Sequence, residues 1–120
     1  MAAETVLIVD DEKLVRWSLR QKYTEWGYHV VEAENGESAL RMVHSGSPDL
    51  ILLDVRLPDI SGLEVLQRLR ETGEVPRAVI MITADPQLDD VKAAIKLGAY
   101  DFIGKPIDFD ELGVTTHNAL

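Results

Sequence analysis

The sequence has 120 residues, 46% of them hydrophobic, and a net charge of −9, which together predict one compact domain spanning residues 1–120 with a well-filled core. It contains no cysteine, which excludes disulfides and thiolate metal sites, and no apolar run is long enough to cross a bilayer. The acidic balance argues against direct binding to nucleic acid or a membrane surface, and the N-terminus lacks a signal-peptide pattern, so we expect a cytoplasmic protein.

Short apolar runs, taken in chain order, predict the strands. Residues 5–9, 50–53 and 78–82 are unbroken and rich in branched side chains. Such runs are typical of strands that are buried on both faces of a parallel sheet. Residues 28–31 and 100–103 are shorter and more mixed, which is the pattern expected of edge strands.

Between the runs, apolar residues recur at helical spacing, as they do at Val15, Leu19, Tyr23 and Trp26. Glycine follows each of the first four such segments, where helices commonly end in a left-handed residue. We therefore predict helices over residues 12–26, 36–45, 62–72, 86–97 and 109–118.

Polar residues mark the starts of three of these helices. Ser61 and Asp108 are each followed three residues later by glutamate, the spacing of a capping box. Asp85 precedes a proline, so we predict that its side chain caps the fourth helix with the proline in the first turn. The glycines predicted at helix ends are Gly27, Gly46, Gly73 and Gly98.

Five strand–helix units predict an α/β fold, a doubly wound parallel sheet of the flavodoxin-like (βα)5 type with strand order 2-1-3-4-5. Ligands of such sheets bind beyond the carboxyl ends of the strands, where the strand order reverses between the first and third strands. The residues that directly follow Val9 and Leu53 are therefore the first candidates for a functional site.

Those positions hold three acids, Asp10, Asp11 and Asp54. Two carboxylates 4 Å apart repel by about 4 kcal/mol at an effective dielectric near 20, so a cluster of three requires a proton or a cation. Mg²⁺ prefers oxygen ligands and commonly accompanies phosphate. The alternatives are local ones, in which Asp11 caps the first helix and Asp54 begins a turn.

Thr83 follows the fourth predicted strand and Lys105 follows the fifth. Either residue alone is ordinary, but together with the acids they match the needs of phosphoryl transfer to a carboxylate. That reaction requires an in-line nucleophile, a metal that neutralises phosphoryl oxygens, and donors for the remaining oxygens. We predict Asp54 as the nucleophile and Lys105 and Thr83 as the donors. Asp11 would hold Mg²⁺ with water-mediated help from Asp10.

These residues resemble the receiver domain of bacterial two-component response regulators, and the resemblance covers essentially the whole chain. It rests on the Val-Asp-Asp of residues 9–11, the segment 53–62 around Asp54, the Ile-Thr-Ala of 82–84 and the Lys-Pro of 105–106. The resemblance implies that a sensor histidine kinase transfers a phosphoryl group to Asp54. It also implies that the backbone carbonyl of Arg56 joins the acids as a ligand of Mg²⁺.

The resemblance further implies a two-state response. The hydroxyl of Thr83 would move toward the phosphoryl group, and Phe102, which stands where many relatives have tyrosine, would reorient behind it. The alternative for Phe102 is an ordinary core aromatic. The output surface would be the fourth helix, fifth strand and fifth helix, residues 86–118, and the same surface suggests a homodimer that forms on phosphorylation. The Lys105–Pro106 bond is expected to be cis, as in the family.

The segments around Asp54 and Lys105 look most like receivers of NtrC-type transcription activators. That likeness implies an effector domain, in this protein or a separate one, that binds DNA in place of this acidic segment.

The sequence argues against three other classes of protein. A flavodoxin would need a phosphate-binding loop after the first strand, where this chain has Asp10, Asp11 and Glu12. A phosphatase with an aspartate nucleophile usually has a second acid two residues later as general acid and base, but Arg56 stands there. A receiver-like interaction module that takes no phosphate would lack the acceptor, the lysine or the acidic pair, and all of them are present.

Overall fold

The computed structural model of the chain describes residues 3–120. Residues 1 and 2, at the start of the predicted domain 1–120, lie outside the described residues. Within that range, strands and helices alternate throughout. They are β1 (Thr5–Val9), α1 (Lys13–Glu25), β2 (His29–Ala33), α2 (Gly36–Gly46), β3 (Leu50–Asp54), α3 (Gly62–Thr72), β4 (Ala78–Thr83), α4 (Leu88–Lys96), β5 (Asp101–Gly104) and α5 (Phe109–Ala119). None of these helices has the length and apolarity needed to span a membrane.

The strands form one parallel sheet in the order β2-β1-β3-β4-β5, which confirms the predicted fold. In the register between the two central strands, Val9 is the Cα partner of Leu53. Asp10 and Asp54 therefore leave neighbouring strands at the same level of the sheet. This register is what brings the two acids together at the carboxyl edge.

The two faces of the sheet bury different helices because side chains alternate along each strand. Val6 and Ile8 of β1 join the cluster that includes Leu19 of α1 and Leu112 of α5. The intervening positions, such as Leu7, pack with apolar residues of α2, α3 and α4. Every residue of β3 and β4 is buried, as the unbroken apolar runs predicted. The sheet thus has a helical layer on each face.

Local differences from the prediction lie at helix ends. The predicted cap at Asp85 is wrong, since α4 begins only at Leu88 and its N-cap residue, Gln87, makes no side-chain cap. Asp85 is therefore not the residue that flanks the helix, and its carboxylate accepts a 2.8 Å hydrogen bond from the side chain of Gln87. At the end of α2 the left-handed residue is Ser47 and not the predicted Gly46.

Candidate functional site

Asp10 is the most deeply fixed acid of the site. It is fully buried, and its backbone N–H continues the sheet pairing with a 3.2 Å hydrogen bond to the carbonyl of Ala33. Its Oδ1 accepts a 2.9 Å hydrogen bond from the backbone N–H of Glu12. Its Oδ2 lies 2.8 Å from Lys105 Nζ as an ion pair, but within residues 3–120 it accepts no hydrogen bond of good geometry. This buried oxygen is paired with Lys105 and keeps a lone pair that a second cation could bind.

Asp10, Asp11 and Glu12 together form an acidic cluster. One carboxylate oxygen from each lies within 4.8 Å of the others, with Asp10 buried and the other two exposed. The helix-cap alternative for Asp11 is not supported, because the N-cap of α1 is Glu12 and it has no side-chain cap bond. Exposed and buried carboxylate oxygens in one small volume suit a hard cation that keeps part of its water shell, which is the preference of Mg²⁺.

Asp54 ends β3 and is only 3% exposed. Its Oδ1 accepts a 2.9 Å hydrogen bond from the backbone N–H of Arg56, and its Oδ2 accepts a 3.0 Å hydrogen bond from Lys105 Nζ. The first bond is the local turn expected as an alternative for Asp54, and it coexists with the second. Gly62 crosses this point so closely that a Cβ there would collide with the carbonyl oxygen of Asp54.

Lys105 connects the carboxylates of different strands. Its Nζ lies 2.8 Å from Asp10, 3.0 Å from Asp54 and 3.4 Å from Glu12, and its side chain is 12% exposed. Its backbone N–H donates to the carbonyl of Thr83 at 2.8 Å, and the peptide bond that follows is cis, as expected. Lys105 is therefore placed to contact a group bound beyond the carboxyl ends of β1 and β3.

These contacts change the protonation of the central pair. Burial opposes the charged form of Lys105, but hydrogen bonds and charge interactions with Asp10 and Asp54 raise the pKa of its ammonium. Burial raises the pKa of the Asp54 carboxyl, the carboxylate of Asp10 adds to the rise, and the N–H of Arg56 and the ammonium of Lys105 oppose it. Clustering the acids therefore makes the charged form of Asp54 less favourable, and the ammonium of Lys105 partly compensates for this.

The two predicted switch residues, Thr83 and Phe102, lie on β4 and β5. Thr83 is fully buried at the end of β4, and its hydroxyl accepts a 3.3 Å hydrogen bond from the backbone N–H of Asp85. Within residues 3–120 its hydroxyl has no hydrogen bond to Asp54 or Lys105. Phe102 is half-buried and packs against the apolar cluster on the α2–α4 face. The switch role assigned to these two residues stays a prediction.

Two side chains at the site were not predicted. Glu12 is the third member of the acidic cluster and the third partner of Lys105. Its position directly after the paired aspartates was the only signal that could have indicated it. Arg16 donates a 2.7 Å hydrogen bond from Nη1 to the backbone carbonyl of Asp10. A backbone acceptor leaves no trace in the sequence, so this contact could not be found there.

The chain matches the family model described as the response regulator receiver domain over residues 6–116. It is 39% identical over 112 residues to the sporulation initiation phosphotransferase F of Bacillus subtilis, covering 93% of this chain and 90% of that protein. It is 35% identical over 119 residues to the regulatory protein AtoC of Escherichia coli, covering 99% of this chain but only 26% of that protein.

A solved structure agrees with these matches. The response regulator protein TrrA of Thermotoga maritima, in complex with Mg(2+)-BeF, superposes with a TM-score of 0.87 at 35% identity, covering 98% of this chain and 99% of that chain. The similarity therefore extends over the whole fold, including the ends of the strands at which the acids and Lys105 lie.

Proposed function

Because the chain belongs to the family of response regulator receiver domains, we propose that Asp54 accepts a phosphoryl group from the phosphohistidine of a sensor histidine kinase. The observation that carries the proposal is the convergence of Asp10 and Asp54 on Lys105, at 2.8 and 3.0 Å. A carboxylate nucleophile, a neighbouring acid and a shared cation in one buried spot are the parts that acyl phosphate formation requires.

Mg²⁺ fits the donor set, which consists of Asp10, Asp11, Asp54 and the backbone carbonyl of Arg56. When bound, the ion would supply positive charge that neutralises the phosphoryl oxygens. The buried Asp10 Oδ2, which accepts no hydrogen bond within residues 3–120, supports this assignment. The complex of TrrA with Mg(2+)-BeF supports the choice of ion.

In the reaction a carboxylate oxygen of Asp54 attacks phosphorus, and the nitrogen–phosphorus bond of the donor breaks with its electron pair returning to the imidazole. Lys105, which now pairs with Asp54, is placed to donate to a phosphoryl oxygen as the charge on the aspartate is lost. Thr83 supplies a second donor if its hydroxyl leaves the N–H of Asp85. The product is an aspartyl phosphate held by the same residues.

The protein is proposed as a signalling domain and not as a turnover phosphatase, since Arg56 stands where a second acid would act as general acid and base. Its response would be read on α4, β5 and α5, with Thr83 and Phe102 linking the phosphoryl group to that surface. Bound phosphate shifts the equilibrium only by its preference for the active state. We propose that the protein acts in the cytoplasm and that this segment itself binds neither nucleic acid nor a membrane.

The partners follow from the same premise. A sensor kinase supplies the phosphoryl group, and an effector domain, covalently attached or separate, receives the signal. A relative named a probable transcriptional regulator, ycf27 of Guillardia theta, of which this chain spans 42%, supports transcription as the output. A homodimer through the α4–β5–α5 surface would be the active assembly, and a size measurement with and without the phosphoryl analogue BeF₃⁻ tests it.

Mass spectrometry of the intact protein tests the central claim. We expect one added phosphoryl group after incubation with acetyl phosphate and Mg²⁺. The group should be absent in Asp54→Ala and after chelation of the metal. Asp89→Ala, which removes an exposed acid of α4, is the control and should be labelled like the original protein. Labelling that survives Asp54→Ala would overturn the proposal, and repeated release of phosphate from a simple ester would favour the phosphatase.

A further inference from the structure

Arg16 is a nearly buried cation that phosphoryl transfer itself does not use. It lies in the first turns of α1, and its side chain is 12% exposed. Nη1 donates to the backbone carbonyl of Asp10 at 2.7 Å, and Nε donates to Glu32 of β2 at 3.1 Å. The other carboxylate oxygen of Glu32 is bound by Arg20. Arg16 thus ties the end of β1 to the neighbouring edge strand.

The carbonyl of Asp10 is the first acceptor beyond the paired part of β1. The ladder with β2 ends as the N–H of Asp10 reaches the carbonyl of Ala33. A carbonyl in this position needs another donor, and the guanidinium of Arg16 provides it. That hydrogen bond fixes the peptide plane between Asp10 and Asp11, and the plane determines the direction of both carboxyl-bearing residues.

We propose that Arg16 is a positioning residue of the metal site, which holds the Asp10–Asp11 peptide so that these two members of the proposed donor set bind Mg²⁺ tightly. The inference rests on the proposed function, because it concerns how that site binds its ion. Each polar group of Asp10 other than Oδ2 is fixed by a hydrogen bond, to Ala33, Glu12 or Arg16. Of these three hydrogen bonds, the one from Arg16 comes from a side chain and the other two are between backbone groups or from a backbone N–H.

Charge and geometry predict opposite effects for the loss of Arg16. A positive charge beside a cation site repels the cation, so a purely electrostatic neighbour would weaken Mg²⁺ binding and its removal would tighten it. A residue that orients the ligands strengthens binding, so its removal must weaken it. The sign of the change therefore distinguishes a positioning residue from a nearby charge.

The test compares Arg16→Met with Arg20→Met, a matched control on the same helix that also loses a partner of Glu32 but touches no part of Asp10. Binding of MgCl₂ is followed through the backbone amide resonances of Asp11 and Glu12. We expect the dissociation constant to rise about tenfold or more in Arg16→Met and to change by less than about twofold in Arg20→Met. Arg16→Lys keeps the charge but not the fork of donors, so it should show most of the loss.

Labelling by acetyl phosphate gives a second readout. In Arg16→Met the Mg²⁺ concentration for half-maximal labelling should rise by the same factor, and the extent at saturating Mg²⁺ should return to that of the original protein. Glu32→Gln, which frees Arg16 without leaving the carbonyl unpaired, should show a smaller change in the same direction. It replaces Arg16→Met if that variant does not fold.

Unchanged or tighter binding in Arg16→Met, or an equal loss in Arg20→Met, would overturn the inference. Labelling that stays low at saturating Mg²⁺ would also overturn it, because a fault of orientation is rescued by more metal. If the original protein itself neither binds Mg²⁺ nor is labelled, the proposed function has failed and the inference fails with it. The two failures are therefore separable.

Discussion

Two neighbouring helices on the same face of the sheet are held in very different ways. α3 buries Gly62, Val65, Leu66 and Leu69 and has a side-chain cap from Ser61 at its start. α4 buries only Ala94 among its residues and has no side-chain cap. Its large apolar residues Leu88 and Ile95 are 67% and 65% exposed.

The difference indicates that α3 is held rigidly against the sheet, whereas α4 can be displaced at a low cost in free energy. The loop of residues 55–61, called the acceptor loop because it follows Asp54, leads directly into α3. The residues around Asp54 are therefore anchored by a helix with a large buried face. α4 follows Thr83, the residue proposed to sense the phosphoryl group. A shift of α4 would expose little apolar surface that is now buried. Segments with few buried apolar contacts open at low free energy. We expect the response to be expressed through α4 and not through α3.

The largest expected change in stability concerns the packing of α3. Leu66→Ala should reduce the free energy of unfolding by about 2–5 kcal/mol, because the residue is fully buried and leaves a cavity. Ile95→Ala on α4 should change it by less than about 0.5 kcal/mol. Urea unfolding of both variants measures the contrast, and equal losses would show that α4 is as firmly packed as α3.

The next prediction concerns the end of α4. Gly98 has a φ of 90°, and a Cβ there would meet the guanidinium of Arg70 in α3. Gly98→Ala should cost about 1–2 kcal/mol for the left-handed backbone, and more for displacing Arg70. Gly27 has a φ of 94° with nothing within 4 Å of the added carbon, so Gly27→Ala gives the backbone cost alone. If the two variants unfold alike, the side chain of Arg70 moves aside without a measurable cost.

Asp59 gives a pH-dependent prediction on the acceptor side. Its carboxylate accepts hydrogen bonds from the first two N–H groups of α2, at 2.8 Å from Gly36 and 2.9 Å from Glu37. Slight burial opposes the charge, but the N–H groups of Glu37 and Gly36 lower the pKa of Asp59 to about 2. Loss of such a helix-terminal acceptor in Asp59→Ala should cost about 1 kcal/mol.

The sign of the pH effect follows from the lowered pKa. Because the native state holds the proton less tightly than the unfolded state, the stabilisation is full above the ordinary pKa of 3.8 and is lost as the pH falls toward 2. The difference in unfolding free energy between Asp59→Ala and the original protein should therefore be present at neutral pH and shrink below pH 3.8. A difference that persists unchanged at low pH would contradict this account.

The smallest expected effect concerns the ion pair between the acceptor loop and α4. Arg56, in the acceptor loop, pairs with Asp90 of α4 at 3.3 Å. A double-mutant cycle on Arg56→Ala and Asp90→Ala should give a coupling of about 0.2–1 kcal/mol, as expected for a largely exposed pair. Hydrogen exchange of α4 amides should speed up in Asp90→Ala more than in Asp89→Ala, which removes the adjacent acid. Equal exchange in the two variants would mean that the pair does not restrain α4.

The parts of the molecule that sequence predicted are those with local signals. Residues 62–72 were predicted as a helix and form one with those bounds, because Ser61 and Gly73 mark its ends in the chain. The meeting of Asp10, Asp54 and Lys105 also followed, since the carboxyl ends of parallel strands share an edge. Their roles in chemistry stay predictions until labelling is measured.

Two of the contacts that escaped prediction join segments far apart in the chain. Asp59 binds the start of α2, 23 residues earlier, and Arg56 reaches Asp90, 34 residues later. Arg16 binds a backbone carbonyl, for which no residue type is a signature. The predicted cap at Asp85 failed because α4 begins only at Leu88, and the Asp85 carboxylate accepts a hydrogen bond from Gln87. Local sequence rules place the first turn of a helix only to within a few residues.

The close crossing of Gly62 over the carbonyl of Asp54 has a practical consequence. A single methyl group at residue 62 would push against the acceptor strand while every acid, the lysine and the threonine stayed in the chain. We therefore expect Gly62→Ala to impair phosphorylation although every chemical group of the site is retained. In cells it would separate the effects of a misaligned backbone from those of a missing nucleophile, a distinction that deletion of the aspartate cannot make.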